Sequence, residues 1–179
     1  EVVLQCTHGI DLHTGARHRS NLPQIRADIK DESTRAMAES FAAPVILHSA
    51  TRDGSLREIA SSHNIQVLLY EAGEALRFDE IAIRAGVSGI INVMRHIGML
   101  PASRSKKPKR KSMITGQSSW IRATSSGVLR ALVPLGEFVT KGDVLALISD
   151  PMGNNNADTK ILANDDGIVI GRTFLPLVY

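Results

Sequence analysis

A single cysteine, Cys6, is the whole thiol content of these 179 residues, so no internal disulfide can brace the fold. It has no His/Asn constellation at nucleophile spacing, and free cysteine is among the more buried residue types, so Cys6 is expected to be an inert residue of a strand. Long apolar runs are missing too. None approaches the roughly 18 residues of a membrane span, and Glu1-Val2-Val3-Leu4-Gln5 lacks the basic start and apolar stretch of a signal peptide. Membrane binding and secretion are therefore not indicated, and the default location is the cytoplasm. A charge excess of one sign is present only locally. Of the 21 basic residues, six fall in one stretch (Arg104, Lys106, Lys107, Lys109, Arg110 and Lys111), and the remaining 15 face 18 acidic ones. The stretch has no interleaved aromatic residue, follows Pro101 and contains Pro108, which marks a solvated linker and argues against a specific nucleic-acid partner.

What is present is a chain long enough to bury a core, 43% hydrophobic, with two textures. Residues 1–100 alternate short apolar runs with helical patterns, the mark of a mostly parallel α/β sheet. Strands are predicted at Val2 to Asp11, Pro44 to His48 and Gln66 to Tyr70. A helix capped by Asp31 is predicted from there to Phe41, on the helical spacing of Met37, Ala38 and Phe41. A second fits Ser55 to His63. A longer one fits about Phe78 to Met99, with Gly86 and Gly89 as points where it can divide in two. Residues 101–115 read as the basic linker, and 116–179 as an all-β unit rich in Gly, Pro, Asn and Asp. That unit repeats itself at an offset of 40 residues: Ala123, Gly127, Val128 and Leu129 match Ala163, Gly167, Ile168 and Val169. Two similar hairpins closing on each other as a small barrel-sandwich account for the echo. The second copy reaches Tyr179 where the first runs on through Gly136-Glu137-Phe138-Val139, so the C-terminus is expected to be cut.

Two short motifs carry candidate chemistry. Ile10-Asp11-Leu12-His13-Thr14-Gly15 reads as a strand ending in a glycine turn, and strand ends in α/β sheets are where ligands bind. His13 can offer a neutral imidazole to a metal there, or be an ordinary polar residue. Asp11, two residues away, shares its face and can orient the ring, whereas His8, at odd spacing, falls on the other face. In Val67-Leu68-Leu69-Tyr70-Glu71-Ala72-Gly73 an apolar strand ends abruptly in a carboxylate. Glu71 fits either a proton carrier at the end of a buried strand or a cap for the next element.

The segments IDLHTGARHRSNLPQIRAD, VLLYEAGEALRFDEIAIRAGVSGI and SSWIRATSSGVL, in this order, resemble the succinylglutamate desuccinylase/aspartoacylase family, whose fold is similar to that of zinc carboxypeptidases. The resemblance implies part of a zinc carboxypeptidase-like sheet followed by the β unit, a deacylase splitting the amide of a small N-acyl amino acid, His13 as the third zinc ligand and Glu71 as general base and acid. Asn21 and Arg26 are candidates for holding a substrate carboxylate or acyl oxygen, or equally for pinning the loop after His13. The family draws its first two zinc ligands from an upstream His-x-x-Glu motif, and none occurs here: three residues after His18 stands Asn21. Two ligands are thus expected upstream of these residues, and the segment alone is expected to bind zinc weakly and to be inactive.

Other readings remain open: a carboxypeptidase-like peptide hydrolase on the same fold, or a non-catalytic binding module centred on the β unit. The Gly136 to Leu145 hairpin resembles those of biotinyl and lipoyl carriers, but neither Lys141 nor Lys160 has the Met-Lys-Met or Asp-Lys-Ala context of a modified lysine, so no such cofactor is expected. The sequence leaves a homo-oligomer open.

Overall fold

The computed structural model describes residues 2–50, 54–103, 111–153 and 158–179. Most of the basic stretch, residues 104–110, lies outside them, and Lys111 is exposed.

The first strand is shorter at its start and longer at its end than expected. A single 3-10 turn, Val3–Gln5, precedes β1 (His8–His13), and Cys6 caps that turn in the open. The expectation of a strand-borne Cys6 fails because the chain has not yet entered the sheet at that point. The remaining elements of the α/β unit are β2 (Arg19–Ala27), α1 (Glu32–Phe41), β3 (Val45–His48), α2 (Leu56–Ser62), β4 (Gln66–Gly73) and α3 (Glu80–His96). The Asp31 carboxylate accepts the Thr34 N–H at 2.7 Å to start α1, and the Ser55 hydroxyl accepts that of Glu58 at 3.1 Å to start α2.

β2 is the strand that residue patterning hides. Pro23 donates no ladder hydrogen bond and ordinarily argues against a central strand. Here it sits where the register against β4 shifts, between Asn21 and Gln24, so its missing N–H falls at the irregularity. The sheet order is β1-β4-β2-β3, extended by β5 (Met113–Thr115) beside β3. β1–β4, β2–β3 and β3–β5 are parallel pairs, while β2 and β4 run antiparallel. The linker expected over 101–115 therefore ends three residues early, because Val45 to Leu47 offer β5 a free apolar edge.

One face of the sheet is closed by α1 and α3. Ile25, Ala27, Ile46, Leu68 and Tyr70 pack there with Met37, Phe41 and Val93. α3 does not divide at its glycines. A Cβ at Gly89 would lie 2.1 Å from the Phe41 ring, and one at Gly86 would lie 3.0 Å from that of Tyr70. The two glycines let an unbroken helix lie close to its neighbours, and this packing outweighs their poor helix propensity.

The C-terminal residues form β6 (Gly127–Ala131), β7 (Phe138–Val139), β8 (Val144–Ser149), β9 (Thr159–Leu162), β10 (Gly167–Ile168), β11 (Gly171–Thr173) and β12 (Leu177–Val178). A four-stranded antiparallel sheet, β12-β6-β8-β9, packs Ala146, Ile148 and Ile161 with Leu129 and Val178, and β10 pairs with β7. The echoed glycines Gly127 and Gly167 each open a strand, β6 and β10, but the two strands lie in different sheets. β11 leaves this unit and pairs antiparallel with the first half of β2, joining the two regions through one sheet.

Candidate active site

Parallel pairing of β1 with β4 places His13 directly beside Glu71. Register partners in a sheet point to one face and adjacent strands lie about 4.8 Å apart, so the two candidate side chains leave the backbone as neighbours. Alternation puts Asp11, Gln24 and Arg26 on that face too, opposite the one closed by α1 and α3. The turn after β1 is drawn in by glycine: Gly15 N–H donates to the Gly73 carbonyl at 3.1 Å, and a Cβ at Gly15 would lie 2.3 Å from the Arg19 carbonyl oxygen. Gly73, at φ +67°, turns the chain just past Glu71 in a conformation that favours glycine.

His13 Nε2 lies 3.1 Å from Asp11 Oδ2. In the neutral half-exposed ring, the tautomer with its proton on Nε2 donates to this carboxylate and leaves the lone pair on Nδ1. That arrangement fits a metal ligand with an orienting carboxylate. Among the described residues no group of three or more His, Cys, Asp and Glu side chains is placed to hold a metal ion, so His13 fits as one ligand of a set and not as a complete site. His18 has a left-handed backbone, at φ +59°, and its N–H donates to Glu74 Oε1 at 2.9 Å.

The Glu71 carboxylate is held from β2 on both oxygens. Asn21 Nδ2 donates to Oε1 at 2.5 Å, and Arg26 Nε lies 2.9 Å from Oε2. The second contact is a charge pair and not an aligned hydrogen bond, since the buried Nε has no hydrogen-bonded partner. Asn21 and Arg26 are thus brought on to Glu71. Arg26 also lines a cleft of about 420 Å³ with Leu47, His48, Ser49 and Gln117, a volume in the range of small-molecule sites. Pattern reading missed Gln24, which stands directly across from Glu71 and is 1% exposed. The alternation Gln24-Ile25-Arg26-Ala27 was the available signal, masked by the preceding proline.

Residues 3–97 match the succinylglutamate desuccinylase/aspartoacylase catalytic domain. The chain is 24% identical over 174 residues to N-alpha-acetyl-L-2,4-diaminobutyric acid deacetylase of Halomonas elongata, covering 92% of this chain and 51% of that protein. Its fold is similar to the apo structure of the ectoine utilization protein EutE (DoeB) from Ruegeria pomeroyi, with a TM-score of 0.81 at 19% identity over 99% of this chain and 58% of that one. It is similar also to a succinylglutamate desuccinylase/aspartoacylase from Rhodobacter sphaeroides, with a TM-score of 0.79 at 22% identity over 99% and 56%. The chain spans about half the length of the curated relative it matches. No helix among the described residues is long and apolar enough to cross a membrane. With the match to the catalytic domain covering more than half of its residues, the chain belongs to the succinylglutamate desuccinylase/aspartoacylase family.

Proposed function

We propose that this chain is the Glu-bearing half of a cytoplasmic, zinc-dependent deacylase that hydrolyses the amide of a small N-acyl amino acid. The observation that carries the reading is the side-by-side placement of His13 and Glu71 on the sheet face opposite α1 and α3, with Asp11 on the imidazole and Asn21 and Arg26 on the carboxylate. His13 supplies one zinc ligand through Nδ1, and the others come from outside these residues. Zinc, when bound, supplies Lewis acidity that polarises an amide carbonyl and acidifies a water.

Glu71 carries a proton from water to the leaving amine, and its place beside His13 puts it within reach of a group held there. Asn21 fixes Oε1 by a hydrogen bond, so the proton travels on Oε2, the oxygen that Arg26 faces as a charge pair. Arg26 sits between Glu71 and the cleft, where its guanidinium can meet a substrate carboxylate.

The test uses the whole protein, with metal content by elemental analysis and hydrolysis of a panel of N-acyl amino acids and short peptides. His13→Ala is expected to lose zinc and activity together. Glu71→Gln is expected to keep zinc near stoichiometry and lose at least about 10²-fold in turnover, as for a missing acid–base group. Loss of zinc in Glu71→Gln makes Glu71 a ligand, and full retention of both zinc and activity sinks the mechanism. Preferential cleavage of peptides moves the substrate class to the carboxypeptidase reading.

A further inference from the structure

Gly171 opens β11 and stands opposite Asn21 in the antiparallel pair with β2. A Cβ built on Gly171 would lie 2.7 Å from Asn21 Oδ1, closer than real Cβ contacts allow, and 3.8 Å from Asn21 Cγ. Asn21 is 7% exposed, and its Nδ2 is already spent on Glu71 Oε1. The amide therefore has no slack: it can make room at Gly171 only by moving relative to the carboxylate it holds. The backbone does not demand glycine here, because Gly171 is not among the positive-φ glycines. The space taken by Asn21 does.

The strand is fixed on both sides of this contact. Leu22 N–H donates to the Ile170 carbonyl at 2.9 Å, and Phe174 N–H donates to the His18 carbonyl at 2.7 Å. Trp120, 3.6 Å from the same Cβ position, stacks under the Arg19 guanidinium at 4.6 Å from its ring centroid. β11 cannot drift outward without breaking these contacts.

We propose that Gly171 is a positioning residue: the bare backbone that the C-terminal β region lays against Asn21 sets the angle at which the amide grips Glu71. Any consequence for turnover rests on Glu71 being the proton carrier proposed above, whereas the geometric coupling does not.

The experiment compares Gly171→Ala, Asn21→Ala and their double variant in the whole zinc-loaded protein, with Gly167→Ala, whose Cβ would meet nothing within 4 Å, as control. Gly171→Ala is expected to lower kcat by about 10-fold with KM little changed. The double variant is expected to be no worse than Asn21→Ala, since effects transmitted through one residue are not additive. Independently of activity, the ¹³C shift of the Glu71 carboxyl carbon is expected to move in both single variants and to stay put in Gly167→Ala. If Gly171→Ala does not fold, the double variant should, because removing the amide makes the room the methyl needs. Additive losses, an unmoved Glu71 signal in Gly171→Ala, or a double variant that also fails to fold would each overturn the proposal. A moved signal with unchanged kcat upholds the coupling and removes Glu71 from the chemistry.

Discussion

Residues of alternate parity in one sheet meet two different fates. Ile10, Ile25, Ala27, Ile46, Leu68 and Tyr70 lie in or against the core beneath α1 and α3, while Asp11, His13, Gln24, Arg26 and Glu71 stand on the opposite face. The first set gains by leaving water. The second makes charge pairs and amide contacts whose net worth to folding is small, because each replaces a contact with water. Val45, Leu47 and Val67 share the second face and are buried as well, so that face carries core as well as chemistry. Separation by parity therefore applies to its polar groups: substitutions at Asp11, His13, Arg26 and Glu71 should disable the protein, whereas those under α1 and α3 should unfold it.

The largest effect is expected from the helix-covered face. Phe41 is 2% exposed, its ring lies 5.1 Å from that of Tyr70, and Gly89 brings α3 against it. Phe41→Ala leaves a cavity that a helix already in contact through a glycine fills poorly, and it should cost about 3–5 kcal/mol in denaturant unfolding. Glu71→Gln, on the other face, should lose turnover with the unfolding midpoint unmoved. A Phe41→Ala loss below about 1 kcal/mol would mean that the core is not where the stability lies.

The helices were legible because their signals are local. Asp31 and Ser55 announce α1 and α2 through side-chain oxygens aimed at N–H groups three residues on, and the cap geometry matches. β2 was not legible. Its Pro23 is tolerable only because the register slips beside it, and a slip is a property of two strands some 50 residues apart. The same separation hid the site's inner contacts. His13 and Glu71 each stand out within their own motif, but that Asn21 and Arg26 both land on the Glu71 carboxylate depends on how β2 runs against β4. The short strands β5 and β11 joined the sheet for a similar reason: they complete an edge whose existence only the folded neighbours reveal.

A middle-sized effect separates the faces by pH. Tyr70, on the covered face, is 5% exposed and donates to the Ala82 carbonyl at 2.7 Å. Burial, and next the charge of Asp79, push its phenol from an ordinary 10.0 up to about 12. Above pH 10 the unfolded chain loses a proton that the folded protein still holds. The stabilisation is therefore complete below pH 10 and falls away as pH rises towards 12, by at most about 2.7 kcal/mol for two pH units. Tyr70→Phe should cost about 1 kcal/mol at neutral pH for the lost hydrogen bond and flatten this alkaline limb. An unchanged limb in Tyr70→Phe assigns the alkaline loss to another group.

The smallest effect, and the sharpest use of the comparison, is expected at Gln24. It is nearly as buried as the innermost core residues, at 1% exposed, yet it belongs by parity to the face that carries Glu71 and stands across from it. Its Oε1 has no hydrogen-bond partner. A buried acceptor left unpaired costs about 1–3 kcal/mol, so replacing the amide by an apolar chain of similar length removes a penalty as well as whatever the amide contributes. Gln24→Met should therefore leave the unfolding free energy within about 1 kcal/mol of the parent, or raise it, although it alters one of the most enclosed side chains in the sheet. Activity should respond differently, because Gln24 lies on the strand that carries both Asn21 and Arg26 to Glu71, and a shift there reaches the carboxylate from both sides. Chemical denaturation and steady-state kinetics on the same preparation decide it. A stability loss above about 2 kcal/mol would show that Gln24 holds the fold together, and the division of the sheet by parity would fail at its centre.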